Sequence, residues 1–498
     1  MPTRHISAQT SGREPLDVTD ALRQRFAQIR EEFDVPTEFP SDVLAEARAA
    51  AASDQLDLPE RDETAIPFIT IDPPGSMDLD QAIHIEEDGD GFRVRYAITD
   101  LPVYVTPGGA IDREARGRGL TIYSPDQRTP LHPTELSEGV ASLLPDQVCP
   151  AFVWDMRLGP DGAVGAATVY RAMVRSVERT DYQSVQDAVD NGTAEGTAAL
   201  LARVGPLRIE RELTRGGASL PMPEQVVARE ADGTYTVRFR PPLAAEEWNA
   251  QISLLTGMVA AEIMLHHKVG ILRTLPPPAK GTVARFRRSA AAAGVPWEKG
   301  VSYGAFLRTL NREDPAHLGL IFEATTLFRG SGYTVVDGAE PDQAVHAAVA
   351  KPYAHVTAPL RRLVDRFGLV ICAALEAGED VPEWVMEALP TLPEIMSEAG
   401  RRAGGVERAS ADAVEAAVLQ DKVGEIFDVI VVDRAGNGKK GDLVVKLLDP
   451  AVITRAGGEA EVGDTVDAEL TEASVERSTV RFEVTSHEQF HGSDQASG

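Results

Sequence analysis

The chain predicts an α+β protein: a large domain of mixed sheet and helices, followed by a small β-barrel of the OB type. Three observations carry this. Residues 66 to 106 alternate apolar and polar in the strand manner, through "FITID", "DQAIHIEE" and "GFRVRYAITDLPVYV", with "EDGDG" as a hairpin turn. "WNAQISLLTGMVAAEIMLHH" is nearly all apolar over a helical length, so it belongs in a core rather than on a surface. After Gln420 the texture changes to short strands with turns at close spacing: "GEIFDVIVVD", "GDLVVKLLD", "AVITRAG", "DTVDAELTEAS" and "STVRFEV". About 65 residues of this pattern suit a small barrel.

The other elements follow in order. Roughly the first fifteen residues are expected to be flexible. "DVTDALRQRFAQIREEF" sets Leu22, Phe26, Ile29 and Phe33 at helical spacing, with Asp17, Thr19 or Asp20 as N-cap. "PSDVLAEARAAAA" reads as a second helix behind Ser41 as cap. Residues 110 to 260 mix short strands and helices. "HLGLIFEATTLF", "LRRLVDRFGLVICAALEAG" and "EIMSEAGRRAGGVERASADAVEAAVLQ" read as helices, and the closing "HEQFHGSDQASG" as a disordered tail. The expected units are 1–60, a short helical segment with a flexible start; 61–420, the large domain; 421–486, the barrel; and 487–498, the tail.

Composition narrows the classes. At 43% hydrophobic and 25% charged, the 498 residues are ordinary for a soluble globular protein. No apolar run approaches the ~18 residues of a membrane span, so no membrane partner is expected. The N-terminus has no apolar core of a signal peptide. Cys149 and Cys372 stand alone, which excludes a disulfide framework and a CxxC zinc site and fits a reducing cytoplasm. The net charge of −28 argues against loose binding of polyanions, while leaving room for a basic channel inside an acidic surface.

Several motifs are set aside. "GNGKKG", with Gly436, Gly438 and Gly441, is followed by a strand and not a helix. It therefore reads as a hairpin turn with Lys439 and Lys440 at its tip, not as a dinucleotide loop. His266-His267 lacks a third ligand, "RFRR" at Arg285 to Arg288 reads as a solvated face, and Glu246-Glu247 reads as N-terminal helix charge. No G-x-S-x-G or Walker-type loop is present.

The informative stretch is "TIDPPGSMDLDQAIHIEE", which places Asp72, Asp78 and Asp80 within nine positions of strand-like sequence. Strands avoid aspartate, and buried carboxylates are costly without compensation. An acidic turn at an edge is one reading. A divalent metal site is the other, because hard cations such as Mg²⁺ take oxygen ligands and keep waters. Asp78 and Asp80, two apart on an extended chain, face one side, and Asp72 folds back onto it across Pro73, Pro74 and Gly75. Such a cluster suits two metals about 4 Å apart, clamping the oxygens of a phosphoryl transfer.

"TIDPPGSMDLDQA" resembles the aspartate motif of the ribonuclease II/ribonuclease R (RNB) family of 3′→5′ exoribonucleases: T-I-D, five residues, then D-x-D-D-A. Further matches follow in the same order. They are "YAITDLPVYV", "TIYSPDQRTPLHPTELSEGVASLLPDQ", "HAAVAKPYAHVTAPLRRLVDR" and "GGVERASADA", and the C-terminal barrel resembles the family's S1 domain. Together these cover roughly residues 60 to 485.

The resemblance implies that Asp72, Asp78 and Asp80 bind metal, with Asp78 and Asp80 catalytic. Tyr123 would stack on the 3′-terminal base. Arg361 would grip the scissile phosphate with Arg362 beside it as a substrate contact, and Glu407 would lie near the 3′ nucleotide. It also implies a hydrolytic, Mg²⁺-dependent exoribonuclease, with Mn²⁺ as possible substitute, that acts 3′→5′ on single-stranded RNA as a monomer and releases 5′-nucleoside monophosphates.

There are departures. Gln81 replaces the fourth aspartate, so a metal ligand there brings no charge. Gln251 falls near the family's glutamate pair, and Leu363 stands where R-R-Y is usual. Only about 65 residues precede the motif, where the family carries two cold-shock OB domains, so a short form is expected. The alternative function is a catalytically weakened RNB scaffold that binds RNA. A calcium-binding structural protein would leave Tyr123 and "TAPLRR" unexplained.

Overall fold

The alternating segment at residues 66–106 forms more than half of a closed five-stranded barrel. Phe68–Asp72 pairs antiparallel with Gln81–Asp88, which pairs with Gly91–Thr99, then Val148–Leu158, then Val164–Asp181. The last strand returns parallel to the first, with Asp181 opposite Asp72, and closes the barrel. The computed structural model describes residues 6–8, 20–218, 224–229, 235–292, 294–311, 314–434 and 442–486. The short strands expected between 110 and 260 are present as Ile122–Tyr123, Arg128–Thr129, Glu224–Arg229 and Tyr235–Arg240, but the two barrel strands of this span are long: Val148–Leu158 and Val164–Asp181 have 11 and 18 residues. The longer one pairs with a strand on each side, and its exposed face carries polar residues that blur the apolar rhythm.

Ile83, Val94, Tyr96, Phe152, Trp154 and Met156 are buried in the main core, which continues onto helices Ala244–His267 and Leu363–Ala377. The first of these is the apolar helix expected from sequence. Gly257 lets it approach the chain closely, since a Cβ there would meet the ring of Tyr353 and the carbonyl of Ala354. Both cysteines are free and buried, as small hydrophobes.

Helix Asp20–Glu32 buries Leu22, Phe26 and Ile29 in a second core shared with helix Leu392–Leu419 and the C-terminal barrel. The second helix spans Ser41–Ala51, but its N-cap is Pro40 without a side-chain cap bond, so Ser41 is its first residue and not its cap. Ile6–Ala8 pairs in parallel with Glu224–Arg229, so this piece of the expected flexible start is a strand. Residues 1–5 and 9–19, the "GNGKKG" turn with Lys439 and Lys440, and residues 487–498 lie outside the described residues.

The C-terminal strands Ile426–Arg434, Leu443–Lys446, Ile453–Gly457, Thr465–Ser474 and Thr479–Ser486 form a second closed five-stranded barrel. Its third and fifth strands pair in parallel, and its first and fourth close it antiparallel. Between the barrels a helical unit, Lys280–Ala292, Tyr303–Arg308 and Pro315–Ala324, packs around Phe286, Trp297 and Phe306. "RFRR" lies on its first helix: Phe286 is buried and Arg287 covers the Trp297 ring. No helix of the described residues is long and apolar enough to cross a membrane.

Candidate active site

Asp72 ends one barrel strand and Gln81 begins the next, so the aspartate stretch caps one mouth of the barrel. Its path is fixed by hydrogen bonds. Ser76 N donates to Pro73 O at 3.2 Å, and Gly75 turns the chain at φ +82°. Leu79 N donates to Ser142 Oγ at 3.0 Å, Leu143 N to Leu79 O at 3.0 Å, and Thr99 N to Asp80 O at 3.0 Å. Leu79 is fully buried. It plugs the core while Asp78 and Asp80, on either side of it, point the other way. The segment is irregular rather than strand, yet it keeps the expected alternation.

Asp80 is only 3% exposed. Its Oδ1 accepts from Leu360 N at 2.7 Å and its Oδ2 from Arg361 Nε at 3.2 Å. Burial pushes its carboxyl up to about 8, with Arg361 opposing and Asp78 adding to the rise. Burial likewise lifts Asp72 to about 6, against Arg361, with Asp78 again raising it. The Oδ2 of Asp72 is buried without a hydrogen-bond partner. Asp78 is paired with Arg128, which also holds Glu138. The three carboxyl groups therefore share one largely buried electrostatic neighbourhood.

The helix expected over "LRRLVDRFGLVICAALEAG" begins at Leu363 and not at Leu360. Pro359 to Arg361 form a turn, and the anion its Leu360 amide holds is the protein's own Asp80. Arg362 forks onto Asp365 at 2.9 and 2.7 Å, and Asp365 also accepts from Ala358 N at 2.7 Å. Arg362 thereby braces the turn that presents Arg361, whose own side chain is 47% exposed.

Tyr123 lies on a hairpin, Ile122–Tyr123 with Arg128–Thr129, and is 52% exposed. The chain just before it is tied to the arginine turn: Thr121 N donates to Arg361 O at 3.0 Å and Leu363 N to Gly119 O at 3.0 Å. The hairpin tip is pinned by the buried pair Arg30–Asp126, at 2.7 Å, from the N-terminal helix. Glu407 is half-buried on helix Leu392–Leu419, which packs against the Tyr123 strand. Gln81 Oε1 accepts from the Tyr96 hydroxyl, which also meets Ser253 Oγ at 2.9 Å. Gln251 is buried elsewhere, donating to Glu212 Oε2 at 2.5 Å. Glu246 caps its helix, accepting from Leu243 N at 2.6 Å, as its N-terminal position implied.

Sequence reasoning missed Arg128, which sits in register with Tyr123, and Arg179 and Tyr182, whose charge and hydroxyl lie near Asp72. Only the strand pairing that sets Asp181 beside Asp72 brings the last two to the mouth.

Among the described residues no three His, Cys, Asp or Glu side chains make a metal cage. The donors still fit a hard divalent cation in an open site. Mg²⁺ needs only one or two carboxylates, with waters and substrate phosphate completing its shell. Asp72 offers an unpartnered buried oxygen, and the raised Asp72 and Asp80 are carboxyls for which added positive charge is favourable.

An RNB domain model matches residues 60–372, and a model of the RNase II-type exonuclease C-terminal S1 domain matches residues 425–485. This chain belongs to the RNB family. It is 25% identical over 440 residues to Ribonuclease R of Vibrio cholerae, covering 81% of this chain and 52% of that protein. Over 144 residues it is 35% identical to Exoribonuclease 2 of the same species, covering 28% and 21%. The chain thus spans about half the length of the Ribonuclease R it matches. Its fold is that of Mycoplasma genitalium RNase R in the apo form, with a TM-score of 0.81 at 17% identity over 94% of this chain and 79% of that one. A yeast pseudonuclease shares the fold at a TM-score of 0.67 and 14% identity, covering 90% and 58%.

Proposed function

We propose that this chain is a divalent-metal-dependent, hydrolytic 3′→5′ exoribonuclease that releases 5′-nucleoside monophosphates from single-stranded RNA. The observation that carries this reading is the meeting, at one barrel mouth, of buried Asp80, the half-exposed Arg361 bonded to it, and the half-exposed ring of Tyr123. Tyr123 presents a stacking face for a terminal base, at ~1–3 kcal/mol per base. Arg361 uses one N–H on Asp80 and keeps others to fork onto the scissile phosphate, neutralising charge that develops there. Asp72, Asp78 and Asp80 would hold Mg²⁺ or Mn²⁺, with Gln81 beside them; the bound ion supplies an activated water and charge for the leaving oxygen. Arg362 holds the turn, and Glu407 stands by the 3′ nucleotide. RNA is selected over DNA through its 2′-hydroxyls. The protein acts as a cytoplasmic monomer.

One observation favours a second reading, an RNA-binding protein on a weakened nuclease scaffold: Gln81 brings no charge, and its oxygen is taken by Tyr96. The test incubates purified protein with a 5′-labelled RNA bearing a 3′ overhang, in Mg²⁺, Mn²⁺ or EDTA, and identifies products by mass. Stepwise shortening with 5′-monophosphate release, abolished by EDTA, is expected. Retained RNA without release in either metal would support the second reading.

A further inference from the structure

We propose that Arg128 takes the place of a second metal ion: its guanidinium compensates Asp78 permanently, and the aspartate cluster binds a single divalent cation. This rests on the metal-dependent hydrolysis proposed above.

Charge is the first argument. The cluster contains the carboxyls of Asp72, Asp78 and Asp80, with Glu138 sharing Arg128, and three guanidinium groups face them: Arg128 on Asp78 and Glu138, Arg361 on Asp80, and Arg179 near Asp72. Four carboxylates, ionised as metal binding requires, against three fixed cations leave one negative charge, which a single divalent ion already more than offsets. A second divalent ion would stand close to Arg128 with no anion of its own, in a partly buried place where repulsion is weakly screened.

Ligand supply is the second argument. Gln81 Oε1 is committed to the Tyr96 hydroxyl, and no three His, Cys, Asp or Glu side chains among the described residues form a ready-made metal cage. The unpartnered buried oxygen is on Asp72, whereas Asp78 is already paired with Arg128. One ion held through Asp72 and completed by water and substrate phosphate fits what Mg²⁺ requires.

The placement of Arg128 is the third. It is no loose surface side chain. It is held between Asp78 and Glu138, its strand pairs with that of Tyr123, and the hairpin tip is locked by Arg30–Asp126. A guanidinium does not deprotonate in proteins, so its charge is present at any working pH. Arg128 is thus a positioning residue. It fixes Asp78 in orientation, and through the hairpin it couples that carboxylate to the ring proposed to hold the RNA end.

The test titrates Mn²⁺ into the full chain, followed by calorimetry and by electron paramagnetic resonance of the bound ion. Wild type is expected to bind one ion at the cluster, with an uncoupled six-line spectrum, and Asp72→Asn to lose it. Arg128→Lys, which keeps the charge, should remain at one. Arg128→Asn combined with Gln81→Asp should rise to two, with the spectrum of an exchange-coupled pair. A coupled pair in wild type would overturn the proposal, as would a folded double variant that still binds one. RNA hydrolysis assayed alongside separates the two claims: a coupled pair with metal-dependent hydrolysis defeats only the role of Arg128. No Mn²⁺ binding and no hydrolysis would defeat the nuclease reading itself.

Discussion

Arg361 donates from Nε to Oδ2 of Asp80 at 3.2 Å, joining the turn before helix Leu363–Ala377 to the aspartate segment at the barrel mouth. Because Leu360 N binds the other oxygen of the same carboxylate, the turn and the segment hold each other in register. Removing either partner should therefore affect chemistry before it affects binding.

Asp80→Asn keeps the size of the side chain and can still accept from Leu360 N, but it cannot ionise. Hydrolysis should be abolished while RNA binding, which draws on the wider surface, stays nearly intact. Single-turnover decay beside a binding titration checks this. A residual rate above about a tenth of wild type would mean that Asp80 is not the essential carboxylate.

Arg361→Lys keeps the charge and loses the fork. The rate should fall on the order of 10²-fold, about 2.7 kcal/mol. Kinetics like wild type in the lysine variant would reduce Arg361 to bulk charge.

Tyr123→Ala should lengthen the final undegraded oligomer without stopping catalysis, because the exposed ring is the foothold proposed for the terminal bases. Sequencing gels of reaction end-points decide it. An end-product of unchanged length removes Tyr123 from the stacking role.

The pH dependence follows from the burial of Asp80. Its folded carboxyl titrates at about 8 against an ordinary 3.8, so between those values the folded state holds a proton that the unfolded chain has lost. The stabilisation this gives is complete below about 4 and is lost as pH rises through 8, with a ceiling of about 1.4 kcal/mol per pH unit. Other groups titrate in the same range: Asp72 at about 6 and Lys446 at about 7. The measurement is therefore the difference between wild type and Asp80→Asn in denaturant unfolding, without divalent ions, from pH 5 to 8. Wild type should lose stability relative to the variant across that window. A difference that does not change with pH would show that Asp80 is ionised in the fold.

Leu79→Ala tests the plug between the two acids. Truncating a fully buried leucine costs about 2–5 kcal/mol. Activity measured well below the melting temperature should also fall, because Asp78 and Asp80 lose the side chain that aims them. Full activity in a destabilised variant would show that the hydrogen bonds to Ser142 and Leu143 alone set their direction.

The sequence by itself determined the parts whose signals are local. Alternation announced Gln81–Asp88 and Gly91–Thr99, apolar content announced Ala244–His267, and closely spaced turns announced the C-terminal barrel. The aspartates were legible because carboxylates in strand-like sequence are expensive and so conspicuous. Only the tertiary structure decided that the first sheet closes on itself, since closure depends on Asp72 pairing beside Asp181, across more than a hundred residues. The same holds for the charges around the cluster. Arginine has no periodic signature: a motif resemblance marked Arg361, but nothing local marked Arg128 or Arg179, and distance through folded space alone assigns Arg128 to Asp78, Arg179 to the vicinity of Asp72 and Arg361 to Asp80.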